Sequence, residues 1–96
     1  LYSTHILFVN FGEKEAEACL DYTARLRASG IRAELYPETG KLKKQMGYAD
    51  AKKIPFVALV GEDEISSGKI TVKDMSAGTQ EQLSIEEIVA RLKPGI

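Results

Sequence analysis

Three lysines, Lys41, Lys43 and Lys44, fall within one helical turn, and Lys52 and Lys53 follow in the same stretch. Five lysines stand there against Asp50 alone, an excess of four positive charges on a chain whose net charge is −1. A concentrated basic face on a near-neutral chain points to an anionic partner met at one place. At helical spacing Leu42, Met46 and Ala49 form an inward stripe. Lys41, Lys44, Gln45 and Tyr48 then lie together on the flank beside it. Cations suit phosphates, whereas a ring and an amide suit an unstacked base. The competing role for such a run is a solvated outer face, and composition alone does not separate the two.

Constellations for catalysis are poor. His5, the only histidine, stands at the start of a predicted strand and reads as structural rather than as a general base. Ser66, Ser67 and Ser76 have no histidine partner in reach. Glu62, Asp63 and Glu64 are acidic neighbours, but no ligand spacing for a metal accompanies them. Neither G-x-G-x-x-G nor G-x-x-x-x-G-K-[ST] occurs, which argues against a dinucleotide or triphosphate loop. Cys19, the only cysteine, excludes an internal disulfide and sits at a core position of its helix. The chain predicts no catalytic residue, no metal site and no cofactor of its own.

The elements that must position these residues follow from hydrophobic patterning. His5–Val9 is an apolar run fit for a strand covered on both faces. Glu13–Ser29 is helical, with Ala16, Cys19, Leu20, Thr23 and Leu26 on one face, acids early, bases late and Gly30 as its stop. Ile31–Tyr36 reads as a second strand and Lys41–Lys53 as the lysine helix, in which Gly47 costs about 1 kcal/mol relative to Ala. Ile54–Val60 is a third strand, with Pro55 confined to its entrance. Glu62–Ser67 is a single helical turn or loop ended by Gly68. Lys69–Met75 and Thr79–Leu83 form an antiparallel hairpin, and Ser84 with Glu87 opens a last helix ended by Pro94 and Gly95. The predicted fold is a three-layer α/β domain: a mixed five-stranded sheet, parallel at its core with an antiparallel edge hairpin, and three helices.

Ninety-six residues make a single domain, 1–96, and a first residue other than Met predicts a piece of something larger. No apolar run is long enough for a membrane span, and the single cysteine fits a cytoplasmic setting. In open α/β sheets ligands bind beyond the carboxyl ends of the parallel strands. Topology therefore gathers Asn10, Phe11, Tyr36, Glu38, Lys41, Lys44, Gln45 and Glu62 at one rim.

The run L-Y-P-E-T-G-K-L-K-K-Q-M-G-Y-A-D, followed by I-P-F-V-A-L-V-G-E-D-E and G-K-I-T-V-K-D-M with Gln80 beyond, resembles the C-terminal anticodon-binding domain of class II aminoacyl-tRNA synthetases. Within that group it is most similar to the histidine enzymes. The resemblance extends from His5 to near Leu92. It implies that the rim binds the anticodon loop of a tRNA, while a separate catalytic domain of the same chain activates histidine with ATP and magnesium. It also implies a homodimeric parent held together mainly through that other domain, with no DNA or membrane partner.

Histidine tRNAs carry the anticodon GUG, and the resemblance gives the rim residues roles. Glu38 and Glu62 can each accept from guanine's N1–H and amino group. Asn10 or Gln45 can pair with uracil. Phe11, Tyr36 and Tyr48 are candidates for stacking, and Lys41, Lys43 and Lys44 for holding phosphates. Core packing competes for each ring, more for Phe11 than for Tyr36, and a turn cap competes for Glu62. The alternative is a non-catalytic regulatory or protein-interaction domain of a synthetase relative, which would present the same rim to a protein. Steep weakening by salt marks the RNA reading.

Overall fold

The computed structural model describes residues 3–93, so the expected stop at Pro94 and Gly95 lies outside the described residues. The elements run β1 (Ile6–Phe8), α1 (Glu13–Ala28), β2 (Ala33–Leu35), α2 (Leu42–Ala51), β3 (Phe56–Leu59), α3 (Glu62–Ser67), β4 (Ile70–Asp74), β5 (Gln80–Leu83) and α4 (Ile85–Leu92). The sheet order is β2-β1-β3-β4-β5, with β1 parallel to both β2 and β3 and the β3–β4 and β4–β5 pairs antiparallel. This is the expected sheet. The stretch read as a single helical turn or loop after β3 is the six-residue helix α3, so four helices are present among the described residues where three were expected.

Because side chains alternate along a strand, each strand feeds two cores. Ile6 and Phe8 point to the side covered by α1 and α4, where they join Cys19, Leu26, Ile70, Ile88 and Leu92. Leu7 and Val9 point the other way and join Val57, Ile54 and Ala49 under α2. Fully burying a side chain such as Ile88 is worth about 1.5–3 kcal/mol. The helix ends obey local chemistry. Gly30, at φ +88°, closes α1 with its N–H on the Arg27 carbonyl, while Ile31 N–H reaches Leu26. Ser84 caps α4 by accepting from Glu87 N–H, and Glu87 accepts from Ser84 N–H in return.

Two inward faces differ from those predicted. On α1 the buried stripe is Cys19, Thr23 and Leu26, and Tyr22 stacks on Phe8 with ring centroids 6.3 Å apart, while Leu20 is 58% exposed. Residues 19, 22, 23 and 26 make a better i, i+3, i+4, i+7 set than one containing Leu20, which lies a further 100° or so around the helix. On α2 the fully buried residues are Gln45 and Ala49, Met46 is half-buried, and Leu42 is 42% exposed. Hydrogen bonding, described below, turns Gln45 inward. Lys41 and Lys52 flank α2 rather than belonging to it, and Lys53 takes a left-handed conformation at φ 57°. A methyl group at Gly47 would meet nothing within 4 Å, so packing does not require glycine there.

Candidate nucleic-acid interface

The turns after β1, β2 and β3 and the first turns of α2 and α3 meet at the carboxyl ends of the parallel strands. Phe11 follows β1 and is 44% exposed. Of the three aromatic residues predicted for this rim it is the most open, the reverse of the expected order. Tyr36 is buried, its ring edge-on to Tyr48 at 5.3 Å. The Tyr48 hydroxyl donates to Glu34 Oε2 at 3.1 Å, and Thr4 holds the other carboxylate oxygen at 3.2 Å. Burial first, then the Glu34 bond, raises the Tyr48 phenol above its ordinary value. Ser3, Thr4, Lys52 and Ile54 surround this group, so Tyr48 faces the amino-terminal ends of the strands and not the rim. Helical spacing fixed its flank and not its height along the helix axis.

Charge at the rim is exposed and sparsely paired. Lys44 Nζ lies 3.6 Å from Glu38 Oε1, with both side chains about two-thirds exposed. Among the described residues Lys41 and Lys43 make no ion pair. The first turn of α2 holds no acidic residue, and Lys41 at its cap position makes no side-chain cap. The unbonded N–H groups and the helix dipole there favour an anion. After β3, the capping role weighed for Glu62 belongs to Glu64. Its Oε1 accepts from Gly61 N–H at 2.8 Å and its Oε2 from the Thr71 hydroxyl at 3.0 Å. The Gly61 N–H is the main cause that holds the Glu64 carboxyl below its ordinary value. Glu62 is left exposed, with no side-chain partner among the described residues.

The two amides predicted to meet uracil are engaged inside the fold. Gln45 Oε1 accepts from Asn10 N–H at 2.8 Å, and Gln45 Nε2 donates to the carbonyls of Asn10 at 3.0 Å and Gly40 at 3.2 Å. Asn10 Nδ2 donates to the Tyr36 carbonyl and Asn10 Oδ1 accepts from Gly12 N–H, both at 3.1 Å. Gln45 stands only about 60° from Leu42 on the helical circle, and that was the available sign of its inward position. Leu42 is the rim residue that sequence reasoning missed: an apolar side chain left 42% exposed between Lys41 and Lys43 in the first turn of α2.

Elsewhere the chemistry is structural. His5 immediately precedes β1 at the far rim, where Nδ1 accepts from Arg32 N–H at 2.9 Å and Nε2 lies 3.1 Å from the Arg32 guanidinium. Burial and that guanidinium lower its pKa. Cys19 is buried, and desolvation, with the Glu15 charge, pushes its thiol up to about 12. No cluster of histidine, cysteine, aspartate and glutamate among the described residues could hold a metal ion. Grooves of about 390 Å³ between α1 and α4, and of about 450 Å³ beside Asp50 and Pro55, lie away from the rim. The rim itself presents exposed side chains on an open surface, which suits a macromolecule better than a small ligand.

Comparison with known proteins identifies the family. The chain is 52% identical over 90 residues to the histidine–tRNA ligase of Phocaeicola vulgatus, covering 94% of this chain and 20% of that protein. It is 49% identical over 89 residues to that of Bacteroides fragilis, covering 93% and 20%. It thus spans about a fifth of the length of the curated relatives it matches. Its fold is that of a histidyl-tRNA synthetase from Nostoc sp., at a TM-score of 0.90 and 24% identity over 98% of this chain and 23% of that one. The RNA binding domain of a threonyl-tRNA synthetase from Cryptosporidium parvum shares the fold at a TM-score of 0.87 and 15% identity, over 95% and 23%. The anticodon binding domain family matches residues 5–94, nearly the whole chain, and the protein belongs to that family.

Proposed function

We propose that this chain is the anticodon-reading part of a histidine–tRNA ligase and that it recognises the GUG loop of histidine tRNA at the rim. The single observation that carries the site is the convergence of exposed Phe11, exposed Glu62, the Glu38–Lys44 pair and the uncapped, cationic first turn of α2 on one edge. Lys41, Lys43 and Lys44 hold loop phosphates. Phe11 offers a face to an unstacked base, worth about 1–3 kcal/mol per stacked base. Glu38 and Glu62 accept the paired donors of guanine. An exposed ion pair such as Glu38–Lys44 is worth only about 0–1 kcal/mol, so it opens readily for a better partner. Tyr36 supports the rim from within, and Tyr48 packs edge-on behind it, toward the other end of the strands.

The ligase would activate histidine with ATP and magnesium on residues beyond this chain, since the residues present do not fit such a site. It would work as a homodimer in the cytoplasm. The test is an NMR titration with a GUG stem-loop beside one of changed bases, repeated with Glu38→Gln and Glu62→Gln. Shifts centred on Phe11, Glu38, residues 41–44 and Glu62, larger for GUG and levelled by the two substitutions, are expected. Equal response to both loops by the unsubstituted chain would reduce the site to phosphate attraction. No response even at low salt would favour a protein partner instead.

A further inference from the structure

The buried amides are built differently from the rest of the rim. Gln45 is fully buried 35 residues from Asn10 in sequence, yet one side chain satisfies both the N–H and the carbonyl of Asn10. It stands in for a neighbouring strand at the place where β1 runs out of partners. Its second N–H ties the Gly40 carbonyl, just before α2, to the same point. Asn10 then passes the connection to Tyr36 at the end of β2 and to Gly12 at the start of α1. Two amides thus bind together the turn that carries Phe11, the turn that carries Glu38 and the first turn of α2. Every polar atom of the two side chains is used, and no buried side-chain nitrogen or oxygen among the described residues is left without a partner.

We infer that Gln45, acting through Asn10, is a positioning residue for anticodon discrimination: it sets the spacing between the exposed groups that read the loop and touches no base itself. This rests on the proposed function. Phosphate attraction tolerates a loose rim, because charge acts over several ångströms. A guanine edge does not, because hydrogen bonds weaken steeply away from their preferred distance and angle. Loss of Gln45 therefore removes the preference among loops and leaves the common affinity.

The experiment uses the 96-residue chain with Gln45→Met, which keeps the side-chain length and removes the bonds. Backbone ¹⁵N relaxation in the free protein should show residues 10–12 and 37–41 losing order while β1 and β3 keep theirs. The ratio of affinities for GUG and changed loops should fall by about tenfold, with affinity for the changed loop unmoved. Gln45→Glu gives a second reading. Its carboxylate faces two carbonyls when ionised, but once protonated it regains an acceptor for Asn10 N–H and a donor. Its preference for GUG should recover between about pH 7 and pH 5, where the unsubstituted chain is flat.

Unchanged order at residues 10–12 and 37–41, or an unchanged preference despite lost order, would overturn the inference. Equal losses for both loops would reduce Gln45 to a structural residue. Should Gln45→Met fail to fold, the pH response of Gln45→Glu decides. Should the unsubstituted chain show no preference at all, the proposed function falls, and the relaxation data alone decide whether the amides order the rim.

Discussion

Helices α2 and α4 are short, lie on opposite faces of the sheet and begin in opposite ways. The first turn of α4 has Ser84 and Glu87 exchanging hydrogen bonds, Glu86 beside them and Lys69 on Glu87 at 3.1 Å. Each feature favours the helix. The first turn of α2 has no side-chain cap, no acid and three lysines at the positive end of its dipole. It also carries a glycine in its interior that packing does not require. The helix that faces only its own core is optimised for folding, whereas the one at the rim leaves its first turn without a side-chain cap or an acid, which fits the proposed anionic partner. Folding rules alone do not select Lys41, Lys43 and Lys44.

The largest expected effect that would break this contrast is on binding. Substituting Lys41, Lys43 and Lys44 together by Gln should weaken stem-loop binding by about 100-fold at moderate salt and lower the salt slope by about two, at about 0.7 per phosphate contact on a single strand. The same change should raise stability by up to about 1 kcal/mol, because it removes cations from a helix N-terminus. Opposite signs in a binding isotherm and a denaturant melt are the signature; a loss of both would assign the lysines to folding. Next in size, Ser84→Ala should cost about 1 kcal/mol in a urea melt and leave RNA affinity within twofold or so. A comparable affinity loss would make α4 part of the interface.

The smallest effect is a pH dependence. The Ser84 N–H, then Lys69 and the Ser84 hydroxyl, bring Glu87 from an ordinary 4.5 down to about 2. Since the folded value is the lower one, this contribution is complete above pH 4.5 and is lost as pH falls toward 2. Glu87→Gln should flatten the thermal stability profile inside that window only. Solvent screening at this exposed pair keeps the change small.

The sequence foretold the sheet because its signals were local. Continuous apolar runs marked β1 and β3, Gly30 and Gly68 marked helix ends, and the Ser84–Glu87 spacing announced the α4 cap. The rim followed from topology, since any βαβαβ chain brings Asn10, Glu38 and Glu62 to one edge. What was illegible depended on partners distant in the chain. Gln45 is polar and reads as a surface residue until Asn10, 35 positions away, draws its amide inward. Tyr48 and Leu20 were assigned by angle around their helices, and angle says nothing about which strand, or which end of one, lies opposite. Phe11 was a stacking candidate for which core packing competed more than for Tyr36. It stays open because the turn there is tied down by polar bonds and needs no apolar anchor.

The sheltered thiol of Cys19 makes the protein convenient to instrument. With its proton held to about pH 12 and its sulfur inside the core, it will ignore maleimides and mild oxidants at neutral pH. A single cysteine introduced in place of exposed Leu20 would then be the sole reactive handle on the chain. A dye or surface tether could be attached there, on the far side of α1, without first removing the native residue and leaving a hole beneath the helix.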